Sequence, residues 1–133
     1  MTHKLALVNL ILQVALIVAA FGALWLATKK KLKVHCLVMR VAVGVQIVLI
    51  AVLMAPALAA RVRIWDGWSW FGAEWVIHHT LGVIVVLLFI FFNLVMTGVI
   101  KFRHRLRPYM LSAFVLWVVS LAMGIHLYWY IWR

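Results

Sequence analysis

The chain has 133 residues, a length that suits one domain, and 69% of them are hydrophobic while only 11% are charged. Such a balance excludes a soluble globule, because it leaves too few polar residues to cover a surface. The net charge of +11 arises from 13 Lys and Arg against two acids. These cations sit in short clusters between apolar runs, so they mark membrane topology and anionic headgroups and exclude a nucleic-acid reading.

Four apolar runs follow one another, over about residues 5–27, 35–60, 75–100 and 108–131. They lack the two-residue alternation of a membrane strand, and each is long enough to cross roughly 30 Å of hydrocarbon as a helix. The first run carries Asn9 and Gln13, four apart on one face, and has only Lys4 as a basic residue within its lead. It reads as a spanning helix and not as a cleaved leader. Lys29, Lys30, Lys31 and Lys33 connect it to the second run, which opens on His35 and Cys36 and continues through Met39, Arg40 and Gln46. Gln46 follows His35 by 11 positions, about 20° from three full turns, so the two share a stripe.

The second connection, residues 61–74, holds Arg61, Arg63, Trp65, Asp66, Gly67, Trp68, Trp70, Phe71, Gly72 and Glu74. It reads as an aromatic anchor in the interface, or, more sharply, as a lid over a quinone or another hydrophobic ligand. The third run contains His78, His79, Gly82, Asn93 and Thr97; Asn93 lies 14 positions after His79, about 40° short of four turns. Lys101, Arg103, His104, Arg105 and Arg107 form the third connection, and the fourth run opens on Pro108, which a first helical turn tolerates. His126 lies near its end, 22 residues after His104, about 40° past six turns.

These runs predict an all-α, integral membrane four-helix bundle of up-down-up-down topology, a single domain over 1–133. Eight cations occupy the first and third connections, whereas Lys4, Arg61, Arg63 and Arg133 on the other side are offset by Asp66 and Glu74. The positive-inside rule then predicts a multi-pass protein of the cell membrane with both termini outside. Apolar helix surfaces of this kind suit a homo-oligomer or a larger complex as well as the lipid bilayer.

Ionisable residues at membrane depth are costly, so each is a functional candidate. His35 and His104 fall at the inner level; His126 and one of His78 and His79 fall at the outer level. Adjacent helical residues point about 100° apart, so at most one of His78 and His79 serves as an axial ligand; His79 is favoured because Asn93 shares its face. Paired imidazoles at two depths fit bis-histidine ligation of haem b, with one or two haems carrying electrons through the bilayer. Arg40 and Lys33 are candidate propionate partners at the inner level, and Arg61, Arg63 or Arg133 at the outer one. Gly82 offers a gap for the macrocycle. A competing chemistry is Cu(I) held by His35, Met39 and Cys36, whose donors are soft. Cys36 is the single cysteine, so no intrachain disulfide framework exists. No nucleophile motif supports hydrolysis, and no inverted repeat suggests a transporter; any enzymatic role is that of an oxidoreductase component.

Three stretches add a resemblance: KLKVHCLVMRVAV from Lys31, HHTLGVIVV from His78, and FRHRLRPYMLSAFVLW from Phe102. Together, over roughly residues 31–132, they resemble the small four-helix membrane family that includes CtaM and YozB. The resemblance implies a role in maturation of haem–copper cytochrome oxidase, handling haem or copper, with the family's histidines at His35, His79 and His104. His126, where a tyrosine-like residue is expected, and the closeness of Pro108 to His104 depart from that pattern. The layout is also similar to four-helix dihaem b-type cytochromes. The leading expectation is therefore a membrane haem protein that moves electrons, with quinone as a candidate exchange partner. An oxidase assembly factor working beside oxidase subunits comes second, and a structural subunit of a membrane complex third.

Overall fold

A computed structural model describes residues 3–62 and 69–132, with the backbone alone at 61 and 62. Arg63, Trp65, Asp66, Gly67, Trp68 and Arg133, and the side chain of Arg61, therefore lie outside the described residues. The described chain is all-α, with no strand among the described residues. Helix α1 covers His3–Thr28 and α2 covers Leu32–Leu49; a π-helical turn over Ile50–Met54 leads into α3, Ala55–Val62. Helix α4 covers Trp70–Met96 and α5 covers Leu106–Trp132. Four segments, His3–Thr28, Leu32–Ala60, Trp70–Met96 and Leu106–Trp132, are long and apolar enough to cross a membrane. The chain is a multi-pass membrane protein. It forms two compact units, one built on α1 to α3 and the other on α4 and α5.

In the first unit α1 and α2 pack against each other. Small residues make the approach close: Ala20 and Ala23 are fully buried and Ala42 nearly so. Helix α1 ends in a Schellman turn, the Lys31 N–H bonding the Leu26 carbonyl at 3.0 Å and the Lys30 N–H bonding the Ala27 carbonyl at 3.0 Å. That motif requires a left-handed residue, and here it is Lys30, at φ 60°. A Cβ in this conformation is strained by roughly 1–2 kcal/mol, and glycine escapes the clash at some entropic cost. Lys30→Gly is expected to stabilise the hairpin by about 1 kcal/mol, read as a raised midpoint of thermal unfolding in detergent micelles.

The second span is not the uniform helix expected over 35–60. Pro56 lacks an N–H, and its ring would clash with the carbonyl four residues earlier. The helix accommodates it by widening just before: the Ala55 N–H reaches back five residues to the Ile50 carbonyl.

Helix α4 begins five residues before the expected 75. Ser69 is extended, and its Oγ accepts the Gly72 N–H at 3.0 Å, an N-cap that satisfies one free donor of the first turn. Trp70, Phe71, Gly72 and Glu74, expected in the connection, are thus helical. The helix also stops before the expected 100. Gly98 takes φ 80°, the Val99 N–H bonds the Leu94 carbonyl at 3.0 Å and the Gly98 N–H bonds the Val95 carbonyl at 3.1 Å. This second Schellman turn ends the helix on a glycine, the residue that conformation favours.

Helix α5 starts at Leu106, with Pro108 in its first turn. Extending it back would leave the His104 carbonyl facing Pro108, which has no N–H to offer. His104 is accordingly outside the helix, exposed, with its ring 5.6 Å from that of Phe102. The phase relation between His104 and His126 does not hold, because no continuous helix joins them.

Candidate functional site

Four of the candidate histidines share one geometry. In the first unit His35 Nδ1 lies 2.8 Å from the carbonyl oxygen of Ala23, tying α2 back to α1. In the second, His78 Nδ1 donates across to the Ser120 carbonyl of α5 at 2.8 Å, and His79 Nδ1 donates to the Trp75 carbonyl on its own helix at 2.8 Å. His126 Nδ1 contacts Glu74 Oε1 at 2.7 Å. Carbonyl and carboxylate oxygens only accept, so in each ring Nδ1 carries the proton. In the neutral imidazole Nε2 then holds the lone pair.

Neighbouring His78 and His79 diverge. Their rings are nearly perpendicular, with centroids 5.1 Å apart. His79 stays beside Trp75, centroids 4.5 Å apart. His78 crosses into a notch in α5 formed by Ser120 and Gly124, where a Cβ on Gly124 would lie 2.9 Å from His78 Cε1. The Ser120 hydroxyl returns a 3.4 Å hydrogen bond to the His78 carbonyl. Gly82 belongs to the same contact: its absent Cβ would meet Ser120 Oγ at 4.0 Å. A side chain at Gly82 would thus make only ordinary contact with Ser120, unlike one at Gly124. Ser120 and Gly124 escaped the sequence reading, although a pair of small residues four apart in an apolar run is the usual signal of close helix contact.

Glu74 also takes a different place from the one expected. It is a helical residue of α4 whose carboxylate, 13% exposed, holds the ring of His126, which is 62% exposed. The pair leaves Glu74 as an orienting group for His126.

The remaining candidates fall as follows. Arg40 is exposed on α2, and Cys36 and Met39 are half-buried within one turn or so of His35. Gln46 is buried. Asn93 Nδ2 donates to the Phe89 carbonyl at 2.9 Å, and Thr97 Oγ1 donates to the Asn93 carbonyl at 2.9 Å, so both bond to their own helix. His35 belongs to the first unit and His104 to the second. Among the described residues no group of three or more His, Cys, Asp or Glu converges as a metal-binding cluster.

No family model, curated protein or solved structure matches the chain.

Proposed function

We propose that this protein is a membrane b-type haem protein carrying electrons across or within the bilayer. The observation that carries the reading is the shared Nδ1 anchoring of His35, His78, His79 and His126. Proteins prepare an imidazole as a ligand in this way: the Nδ1–H is given to a carbonyl or carboxylate, which fixes the tautomer and turns Nε2 toward the metal. The donor chemistry fits haem b, which takes neutral imidazoles inside an apolar shell. His35 would hold haem at the inner level, with Arg40 beside a propionate. His79 and His126 would serve the outer level, with Glu74 orienting His126; the ring of His78 is committed to α5. Bound haem supplies one-electron redox chemistry, and its axial ligands and surrounding polarity set the potential.

The eight cations of the two basic connections support placement in the cell membrane, with those connections in the cytoplasm and both termini outside. A membrane-soluble quinone is the electron partner whose chemistry suits such a site.

An absorption spectrum tests this directly. Protein purified from haem-replete membranes is expected to show a Soret band and, after reduction, a sharp α-band. A colourless preparation would overturn the proposal. His79→Ala and His126→Ala are each expected to remove the outer haem and spare the inner one, whereas His35→Ala should do the reverse. Retention of full haem content in both outer variants would dismiss the outer pairing.

A further inference from the structure

Two amides lie at one level of the α1–α2 hairpin with a third one turn beyond, and none of the sites above uses them together. His35 Nδ1 and the Ala23 carbonyl, 2.8 Å apart, fix the register of the two helices. Gln13 precedes Ala23 by 10 residues and Gln46 follows His35 by 11. At 1.5 Å per residue both lie about 15–17 Å from that link. Each is close to the middle of its span, His3–Thr28 or Leu32–Ala60, so the level is the centre of the hydrocarbon. Asn9 sits one turn beyond Gln13 on the same face.

Gln13 and Gln46 are buried, Asn9 is half-buried, and all three are incompletely bonded. Gln13 is 8% exposed and Gln46 7%. Gln13 Nε2, Gln46 Oε1 and Asn9 Oδ1 are all buried with no protein atom in hydrogen-bond reach. In hydrocarbon each such atom costs several kcal/mol. The backbone beside them is also irregular. The Ile50 N–H, four residues after Gln46, approaches the carbonyls of both Gln46 and Ile47, and the π turn opens there, at the level of Asn9. Single π turns of this kind, here set by Pro56, are frequent beside functional sites.

We infer that Asn9, Gln13 and Gln46 bind an ordered water at the membrane midplane. The match is chemical. The three atoms present one donor and two acceptors; a water donates to Asn9 Oδ1 and Gln46 Oε1 and accepts from Gln13 Nε2. Three hydrogen bonds are the usual complement of a buried water. The flanking Ile17, Ala20, Ala42 and Val43 are buried as well, which limits the site to a small ligand. The site makes the first hairpin a polar centre in the bilayer.

Gln13 and Gln46 are the only glutamines in the chain, so selective 15N labelling of glutamine side chains yields two amide signals. Solid-state NMR of the full protein in lipid vesicles, with magnetisation transferred from water protons, reads the site directly. Both amides are expected to receive water magnetisation several-fold faster than the backbone amides of Ile17 and Val43, which are read in a second, uniformly 15N-labelled sample. Gln46→Leu is expected to weaken the transfer to Gln13. Should Gln46→Leu fail to fold, the wild-type measurement alone decides. Transfer to Gln13 no faster than to Ile17, or arriving only from lipid acyl protons, would overturn the inference, as would a direct coupling between the two glutamine amides.

Discussion

Gly124→Val is expected to destabilise the α4–α5 hairpin by about 2–3 kcal/mol. Even a single Cβ at Gly124 would come within 2.9 Å of His78 Cε1, closer than carbon atoms pack. The ring has little freedom to retreat, because its Nδ1 is bonded to the Ser120 carbonyl at 2.8 Å. Valine adds two further carbons, so either the ring leaves the notch or the helices separate. If the ring leaves, the Nδ1 bond breaks in a medium with no water to replace it. If the helices separate, the Ser120 hydroxyl also loses its 3.4 Å hydrogen bond to the His78 carbonyl. Glycine's poor helix propensity offsets only about half a kcal/mol of this. Unfolding of the protein in bicelles measures the cost, and the 15N shift of His78 Nδ1 separates the two routes. Gly124→Val with unchanged stability and an unchanged His78 signal would show that the notch is not needed.

How much of this was legible in the sequence depends on what carried the signal. The four spans were legible because lipid demands long apolar helices, and nothing subtler is needed to find them. Their ends were not, because caps are local: Ser69 is an ordinary serine until its Oγ meets the Gly72 N–H, and Gly98 ends α4 through its φ of 80°. The second span reads as one helix over 35–60, and Pro56 by itself does not say whether a kink, a break or a π turn results. Among the candidate ligands, the helical positions of His35, His79 and His126 were readable from spacing. The roles of Glu74 and Ser120 were not, because each acts on a residue more than 40 positions away. Gln13 shows the same limit. It reads as a plain polar residue in a spanning helix, and its importance rests on Gln46 lying at the same level of a second helix.

Trp117→Ala is expected to destabilise the second unit by about 2 kcal/mol, whereas Trp117→Phe should be close to neutral. Trp117 is 3% exposed, and its ring meets Phe89 edge to face, with centroids 5.4 Å apart and planes at 73°. Phe89 in turn meets Phe92 at 6.4 Å, also edge to face. Removing the indole leaves a cavity beside two buried rings. In a water-soluble protein such a deletion costs roughly 3–5 kcal/mol, but part of that is transfer of the side chain out of water. A membrane helix is already in an apolar medium before its neighbours pack, so only the lost dispersion contacts and the ring pair remain. The indole N–H decides the phenylalanine case. Trp117 Nε1 is buried with no protein partner, so replacing it with carbon removes an unsatisfied donor while keeping the ring contact with Phe89. The smaller ring loses some packing, and the two changes oppose each other. Chemical unfolding in micelles of mixed composition resolves the two variants. A loss in Trp117→Phe as large as that in Trp117→Ala would mean that the N–H makes a bond this site depends on, and packing would no longer explain the position.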